Sequence, residues 1–181
     1  MDPFWRDNGF EPVPRGGLGH HTYVEICPPT APSDNGRADN RVIECRSVPL
    51  EEPATPLQTP ADGVRPYVYC TLGTFSNSNA AVFCMLLQAV GSLDVDVLLT
   101  TGWGIGLHDL GTVPANVVVE EYVPQAQVLD RASLVVCHGG SVTMLASLGA
   151  GLPIVALPQG ADQFVNAPWW ERSGAVTVNA S

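Results

Sequence analysis

From position 65 onward the chain alternates short, continuous apolar runs with stretches of helical periodicity. The run Tyr67-Val68-Tyr69-Cys70-Thr71-Leu72 ends in Gly73-Thr74 and reads as a strand covered on both faces. Phe83, Leu86, Leu87 and Val90 recur at helical spacing and predict a helix over 79–90. Further strands are predicted at 95–99, 117–119, 134–137, 153–157 and 175–178. Helices are predicted at 125–131, 142–148 and 162–172, the last interrupted by Pro168. Such alternation points to an α/β fold, a doubly wound, Rossmann-like parallel sheet with right-handed crossovers.

The first 62 residues follow no such pattern. They hold 10 of the 16 prolines, in runs such as Cys27-Pro28-Pro29 and Glu51-Glu52-Pro53, which sustain neither a helix nor a central strand. This part is expected to be an extended, Pro-rich segment with short strands at 22–26 and 41–45. Residues 1–62 and 63–181 are therefore read as two parts.

Composition narrows the chemistry. The net charge is −10, from 18 acidic and 8 basic residues, and every basic residue is arginine. Without a basic patch, nucleic-acid binding is not expected. Without lysine there is neither a Walker-type phosphate lysine nor a Schiff base. Cys27, Cys45, Cys70, Cys84 and Cys137 are odd in number and form no C-x-x-C, so neither a disulfide framework nor a zinc site is suggested. Cys70, Cys84 and Cys137 lie in apolar runs and read as small core residues. No run approaches the roughly 20 apolar residues of a membrane span. The chain is expected to be cytoplasmic, with no membrane anchor and no metal.

In doubly wound sheets ligands bind at the carboxyl ends of the strands. The sharpest strand-to-helix loop is Cys137-His138-Gly139-Gly140-Ser141-Val142-Thr143. Its glycines admit close backbone approach, and the amides of the following helix suit a diphosphate, helped by the Ser141 and Thr143 hydroxyls and the His138 ring. A plain turn capped by Ser141 fits the same residues. In Pro158-Gln159-Gly160-Ala161-Asp162-Gln163 the last two residues suit a polyhydroxy ligand, or Asp162 simply caps a helix. Tyr122, in Tyr122-Val123-Pro124-Gln125, could stack on a flat ring or pack in the core. Thr74 offers a hydroxyl after the first long strand. Trp103 sits on the glycine-rich loop 101–106, as a mobile flap or a pinned turn. His20 and His21 read as solvated. No nucleophile elbow or local Ser-His-Asp pattern is present.

Taken in order, these loops resemble the donor-binding, C-terminal half of a GT-B glycosyltransferase of the bacterial macrolide and natural-product type. The resemblance spans 65–181. It is carried by Tyr69-Cys70-Thr71-Leu72-Gly73-Thr74, Leu98-Leu99-Thr100-Thr101-Gly102, Val113-Pro114-Ala115-Asn116-Val117, Tyr122-Val123-Pro124-Gln125, His138-Gly139-Gly140-Ser141 and Pro158 through Ala167. It implies that Tyr122, Val123 and Gln125 hold the nucleotide base. His138, Gly139, Gly140, Ser141, Thr143 and Thr74 would cradle the diphosphate, and Asp162 and Gln163 would hold the sugar. The ligand implied is a UDP- or dTDP-sugar, a co-substrate rather than a cofactor, used for inverting, metal-independent transfer to a hydroxyl of a small-molecule aglycone.

Two positions depart from the family pattern. Val142 stands where the bacterial motif has a glycine, and Ala146 where plant relatives carry a ribose-binding glutamate. The family's catalytic base belongs to an acceptor domain, of which Thr22 through Pro29 resemble the last strand, with 46–64 as the interdomain linker. No catalytic residue is therefore expected in this chain, which reads as a fragment, inactive alone and short of its closing helices. A nucleotide-sugar epimerase and a non-catalytic nucleotide-sugar-binding module are the alternatives.

Overall fold

The computed structural model describes residues 2–12, 22–26, 42–48, 64–74 and 79–179. The chain divides into two compact units, 1–47 and 48–181. The expected boundary near residue 62, most of the proline-rich segment, and His20 and His21 lie outside the described residues.

The smaller unit holds helix α1 (Asp2–Asp7) and strands β1 (Tyr23–Glu25) and β2 (Val42–Glu44), which pair in parallel. Both short strands fall where the apolar runs predict them. Helix α1 lies in what reads as extended chain. Beyond it, Phe10 returns onto the Trp5 ring edge-on, and the Asn8 side-chain amide donates to the Phe4 carbonyl.

The larger unit contains β3 (Tyr67–Thr71), α2 (Ala80–Gly91), β4 (Asp96–Thr100), β5 (Val117–Glu120), α3 (Gln125–Leu129), β6 (Leu134–Cys137), α4 (Ser141–Gly149), β7 (Ile154–Ala156), α5 (Gln163–Glu171) and β8 (Val176–Val178). The six strands are all parallel, in the order β5-β4-β3-β6-β7-β8. This is the doubly wound order, with its switch point between β3 and β6.

Alternation along the strands builds two cores. Tyr67 and Tyr69 of β3 face one layer with Val128, Met144 and Trp170, from α3, α4 and α5. Val68 and Cys70 face the other with Phe83, Leu86 and Leu87 of α2. Cys70 and Cys137 are buried, and burial pushes their thiols up to about 12 and about 11 respectively. Cys84 is only half-buried, because it sits on the flank of α2, with its thiol toward the Leu110 carbonyl at 3.6 Å. Asn116 ties the turn after α2 by donating to the carbonyls of Val90, Leu93 and Val95. At the amino end of the sheet, away from the carboxyl ends of the strands, the fully buried Asp96 pairs with Arg65. No helix among the described residues is long and apolar enough to cross a membrane.

Candidate functional site

Three loops meet where β3, β6 and β7 end. After β3 the chain turns through Gly73, whose φ of +75° belongs to the left-handed region that glycine tolerates. The space a side chain would need there is filled by His138: a Cβ on Gly73 would lie 2.6 Å from the imidazole Cε1. A Cβ on Gly140 would likewise collide with Nε2 of the same ring. His138 thus packs against two glycine backbones, one following β3 and one following β6.

The imidazole Nδ1 is buried and has no hydrogen-bond partner among the described residues. A buried polar nitrogen without a partner is uncommon and carries a desolvation cost. Burial also holds the His138 pKa below its ordinary value, with the Asp162 carboxylate pulling the other way.

Helix α4 begins beside this ring. Gly140, not Ser141, occupies the N-cap position, and no side chain caps the helix. The cap role open to Ser141 is therefore not realised, because Ser141 is already the first helical residue. The first helical bond runs from the Met144 amide to the Gly140 carbonyl, which leaves the amides before it for other acceptors. Thr143 is buried, and its carbonyl accepts from the Ser147 hydroxyl at 2.8 Å. Val142 is 72% exposed and points away from the core. Thr74 is exposed in the turn after β3.

The loop after β7 packs directly on the loop after β6: a Cβ at Gly139 would make ordinary contact, 3.9 Å, with that of Gln163. Gln163 is buried, and its Oε1 accepts the amides of Gln159, at 2.7 Å, and Gly160, at 3.1 Å. Asp162 stands at the N-cap of α5 but with helical dihedrals and no cap bond; its carboxylate accepts from the Asn166 side chain at 2.8 Å instead. Capping is therefore not what this aspartate does. Ala161 just before it adopts φ +53°.

Tyr122 and Val123 follow β5, two strand spacings from β3 and three from β6, or about 10 and 15 Å. Val123 is buried, whereas Tyr122 is 51% exposed rather than a core residue. Gln125 opens α3 and is half-buried. Trp103, in a short 3-10 turn over Gly102–Gly104, stacks toward Tyr122 with centroids 6.5 Å apart and planes 15° from parallel. The pairing across the ends of β4 and β5 was not legible in the chain itself, nor was the part Gly73 plays in holding His138; a glycine directly after a buried strand was the only signal for the latter. Among the described residues no three His, Cys, Asp or Glu side chains gather as a metal site would need.

The fold defines the class, a Rossmann-like α/β domain of the kind found in GT-B glycosyltransferases. More closely, the chain belongs to the family described as erythromycin biosynthesis protein CIII-like, C-terminal domain, whose model matches residues 84–179. It is 41% identical over 102 residues to demethyllactenocin mycarosyltransferase of Streptomyces fradiae, covering 56% of this chain and 22% of that protein. It is 33% identical over 159 residues to a PGL/p-HBAD biosynthesis glycosyltransferase of Mycobacterium tuberculosis, covering 87% of this chain and 36% of the relative. Among solved structures, the glycosyltransferase SnogD from Streptomyces nogalater superposes with a TM-score of 0.72 at 26% identity, over 86% of this chain and 44% of SnogD. The spinosyn rhamnosyltransferase SpnG, in complex with thymidine diphosphate, shares the fold with a TM-score of 0.72 at 24% identity, over 98% of this chain and 47% of SpnG. The chain thus spans well under half the length of the curated relatives it matches.

Proposed function

We propose that residues 63–181 are the donor-binding domain of a glycosyltransferase that takes a nucleoside-diphosphate sugar, with a uracil or thymine base, and passes the sugar with inversion to a hydroxyl of a natural-product aglycone. The observation that carries this reading is the His138 imidazole packed against Gly73 and Gly140 at the switch point, beside an uncapped helix start. Amides at a helix start and an adjacent imidazole donor form an anion site without any cation from the protein.

In this reading Tyr122, Val123 and Gln125 receive the base. His138, Gly139, Gly140, Ser141 and Thr143, with Thr74 across the cleft, receive the diphosphate, and Asp162 and Gln163 the sugar. The diphosphate leaves as the acceptor hydroxyl attacks the anomeric carbon. The domain's part is to stabilise the developing charge on the leaving group with oriented donors and to hold the sugar in line. The base that deprotonates the acceptor belongs to the acceptor-binding part of the whole protein.

Thymidine diphosphate, bound by a fold neighbour, is the first probe, with uridine diphosphate beside it. Titration calorimetry of the full chain is expected to show the diphosphates binding far more tightly than the nucleosides. His138→Ala removes a donor to a charged group, about 1.5–3 kcal/mol, and should weaken diphosphate binding about tenfold to a hundredfold. Equal affinity for nucleoside and diphosphate would overturn the reading.

A further inference from the structure

We infer that Tyr69 is a positioning residue for the proposed diphosphate site: with Thr100 its hydroxyl fixes the Thr71 hydroxyl, which in turn fixes the turn at Gly73 against which the His138 ring packs. This rests on the donor-binding reading above. Tyr69 is buried in β3, in a layer with Val128 and Met144. Phenylalanine would fill that space as well, and a hydroxyl taken into an apolar layer costs free energy unless it is bonded. The Tyr69 hydroxyl oxygen lies 3.2 Å from the Thr100 Oγ1. Burial pushes the Tyr69 pKa up, while hydrogen bonding to the Thr100 and Thr71 hydroxyls pulls it down. The hydroxyl thus has a partner at the carboxyl end of each of two strands.

Register explains the convergence. Thr71 and Thr100 are the last residues of β3 and β4 and are paired across the ladder, as Tyr69 is with Leu98. Residues two apart on a strand share a face, so Tyr69, Thr71 and Thr100 all point into the same layer. Both threonines are buried. Thr71 also reaches along its own chain: its Oγ1 accepts the Gly73 amide at 3.2 Å. Having accepted there, the Thr71 oxygen keeps its own proton to donate. The bonds then run in one direction, from Gly73 through Thr71 and Tyr69 to Thr100, and each polarises the next. Gly73 is the residue whose left-handed turn leaves room for the imidazole. A run of hydroxyls anchored in two strands therefore holds the backbone on which the ring rests. Buried as it is, Tyr69 acts on a ligand only through Thr71, Gly73 and His138.

Tyr69→Phe and Thr71→Val each remove a hydroxyl with little change of shape, and Thr71→Ser keeps one. The full chain and these variants are titrated by calorimetry with inorganic pyrophosphate and with thymidine diphosphate. The His138 ring-proton resonances, assigned by their loss in His138→Ala, are followed against pH. Tyr69→Phe and Thr71→Val are each expected to weaken both probes about threefold to tenfold, the scale of one net hydrogen bond. Both should also raise the His138 pKa toward its ordinary value, as water reaches the loosened ring. Thr71→Ser should restore affinity and titration together. The double variant Tyr69→Phe/Thr71→Val should lose no more than the weaker-binding single variant, since either change breaks the same run of bonds. If Tyr69→Phe lowers the melting temperature but leaves pyrophosphate affinity and the His138 titration as they were, its hydroxyl serves the core alone; the inference is overturned and the donor site stands. Fully additive losses in the double variant overturn it too, because the two hydroxyls would then act separately. Should Tyr69→Phe fold poorly, Thr71→Val set against Thr71→Ser decides in the same terms. If the unaltered chain binds neither probe, the inference falls together with the donor-binding reading.

Discussion

The loops after β6 and β7 lie against each other at one edge of the sheet and use their polar groups in opposite ways. After β6, His138 has a buried nitrogen without a partner among the described residues, and the first amides of α4 have no side-chain cap. After β7, one oxygen of Gln163 takes two backbone amides, the Gln159 side-chain amide donates to the carbonyls of Leu157 and Pro158, and Asp162 accepts from Asn166. Residue type explains the contrast. Amide and carboxylate side chains can close on nearby backbone and side-chain groups, whereas glycines offer only amides and space. Richness in polar residues is therefore not what sets the loop after β6 apart as the proposed diphosphate site; what does is the number of groups left over once the loop has satisfied itself.

The comparison breaks most sharply at Gly73. Gly73→Ala forces a methyl into the imidazole and a side chain into the left-handed region. It should cost about 2–4 kcal/mol in urea unfolding and abolish detectable diphosphate binding by displacing His138. Unchanged binding in a folded variant would mean that the glycine cradle does not position the ring.

Gln163→Ala should show the opposite balance. Two amides of the β7 loop lose their acceptor, at a cost of about 1–3 kcal/mol, visible as a lower melting temperature. Nucleoside diphosphate affinity should stay within about twofold, as only the sugar is proposed to reach this loop. A large loss of affinity without loss of stability would reverse the roles assigned to the two loops.

A smaller effect concerns pH. Because the His138 pKa is lowered in the folded state, the unfolded chain takes up the proton first. The stability due to the neutral ring is complete above the ordinary histidine value of about 6.5 and declines as pH falls through and below it. Thermal melts of the native chain should fall more steeply below that pH than those of His138→Ala. Parallel curves would remove the buried neutral imidazole from the account.

The smallest expected effect is at Ala161, where φ is +53°. Ala161→Gly relieves a left-handed alanine at the cost of greater freedom in the unfolded chain, for a net gain of up to about 1 kcal/mol in urea unfolding. Destabilisation would show that the alanine methyl contributes packing that outweighs the strain.

The doubly wound domain was legible because its strands are continuous apolar runs that have no other stable placement. Each of the six appears within a residue or two of its expected ends, and the spacing of Phe83, Leu86, Leu87 and Val90 placed α2 with its core face. Helix α1 was missed: six residues carry too little periodicity to register. At the site, the motif residues could be listed from the chain, but not what each side chain does. That Asp162 bonds Asn166 rather than capping α5 depends on a helical dihedral pair invisible in composition. That Trp103 and Tyr122 face each other depends on β4 and β5 being neighbours in the sheet, a long-range fact that no local pattern encodes.

The strand order also has a consequence for how the domain assembles. β3 pairs with β4, next along the chain, on one side, and on the other with β6, which is reached only after β4 and β5. Loop closure favours the nearer pairing, so β3-β4-β5 can condense as one unit and β6-β7-β8 as another, with the β3–β6 ladder as the seam between them. Gly73 and His138 stand on opposite sides of that seam. A diphosphate lodged there would bridge two folding units, and the amides of the β3–β6 ladder should be those whose exchange with solvent slows most when the site is filled.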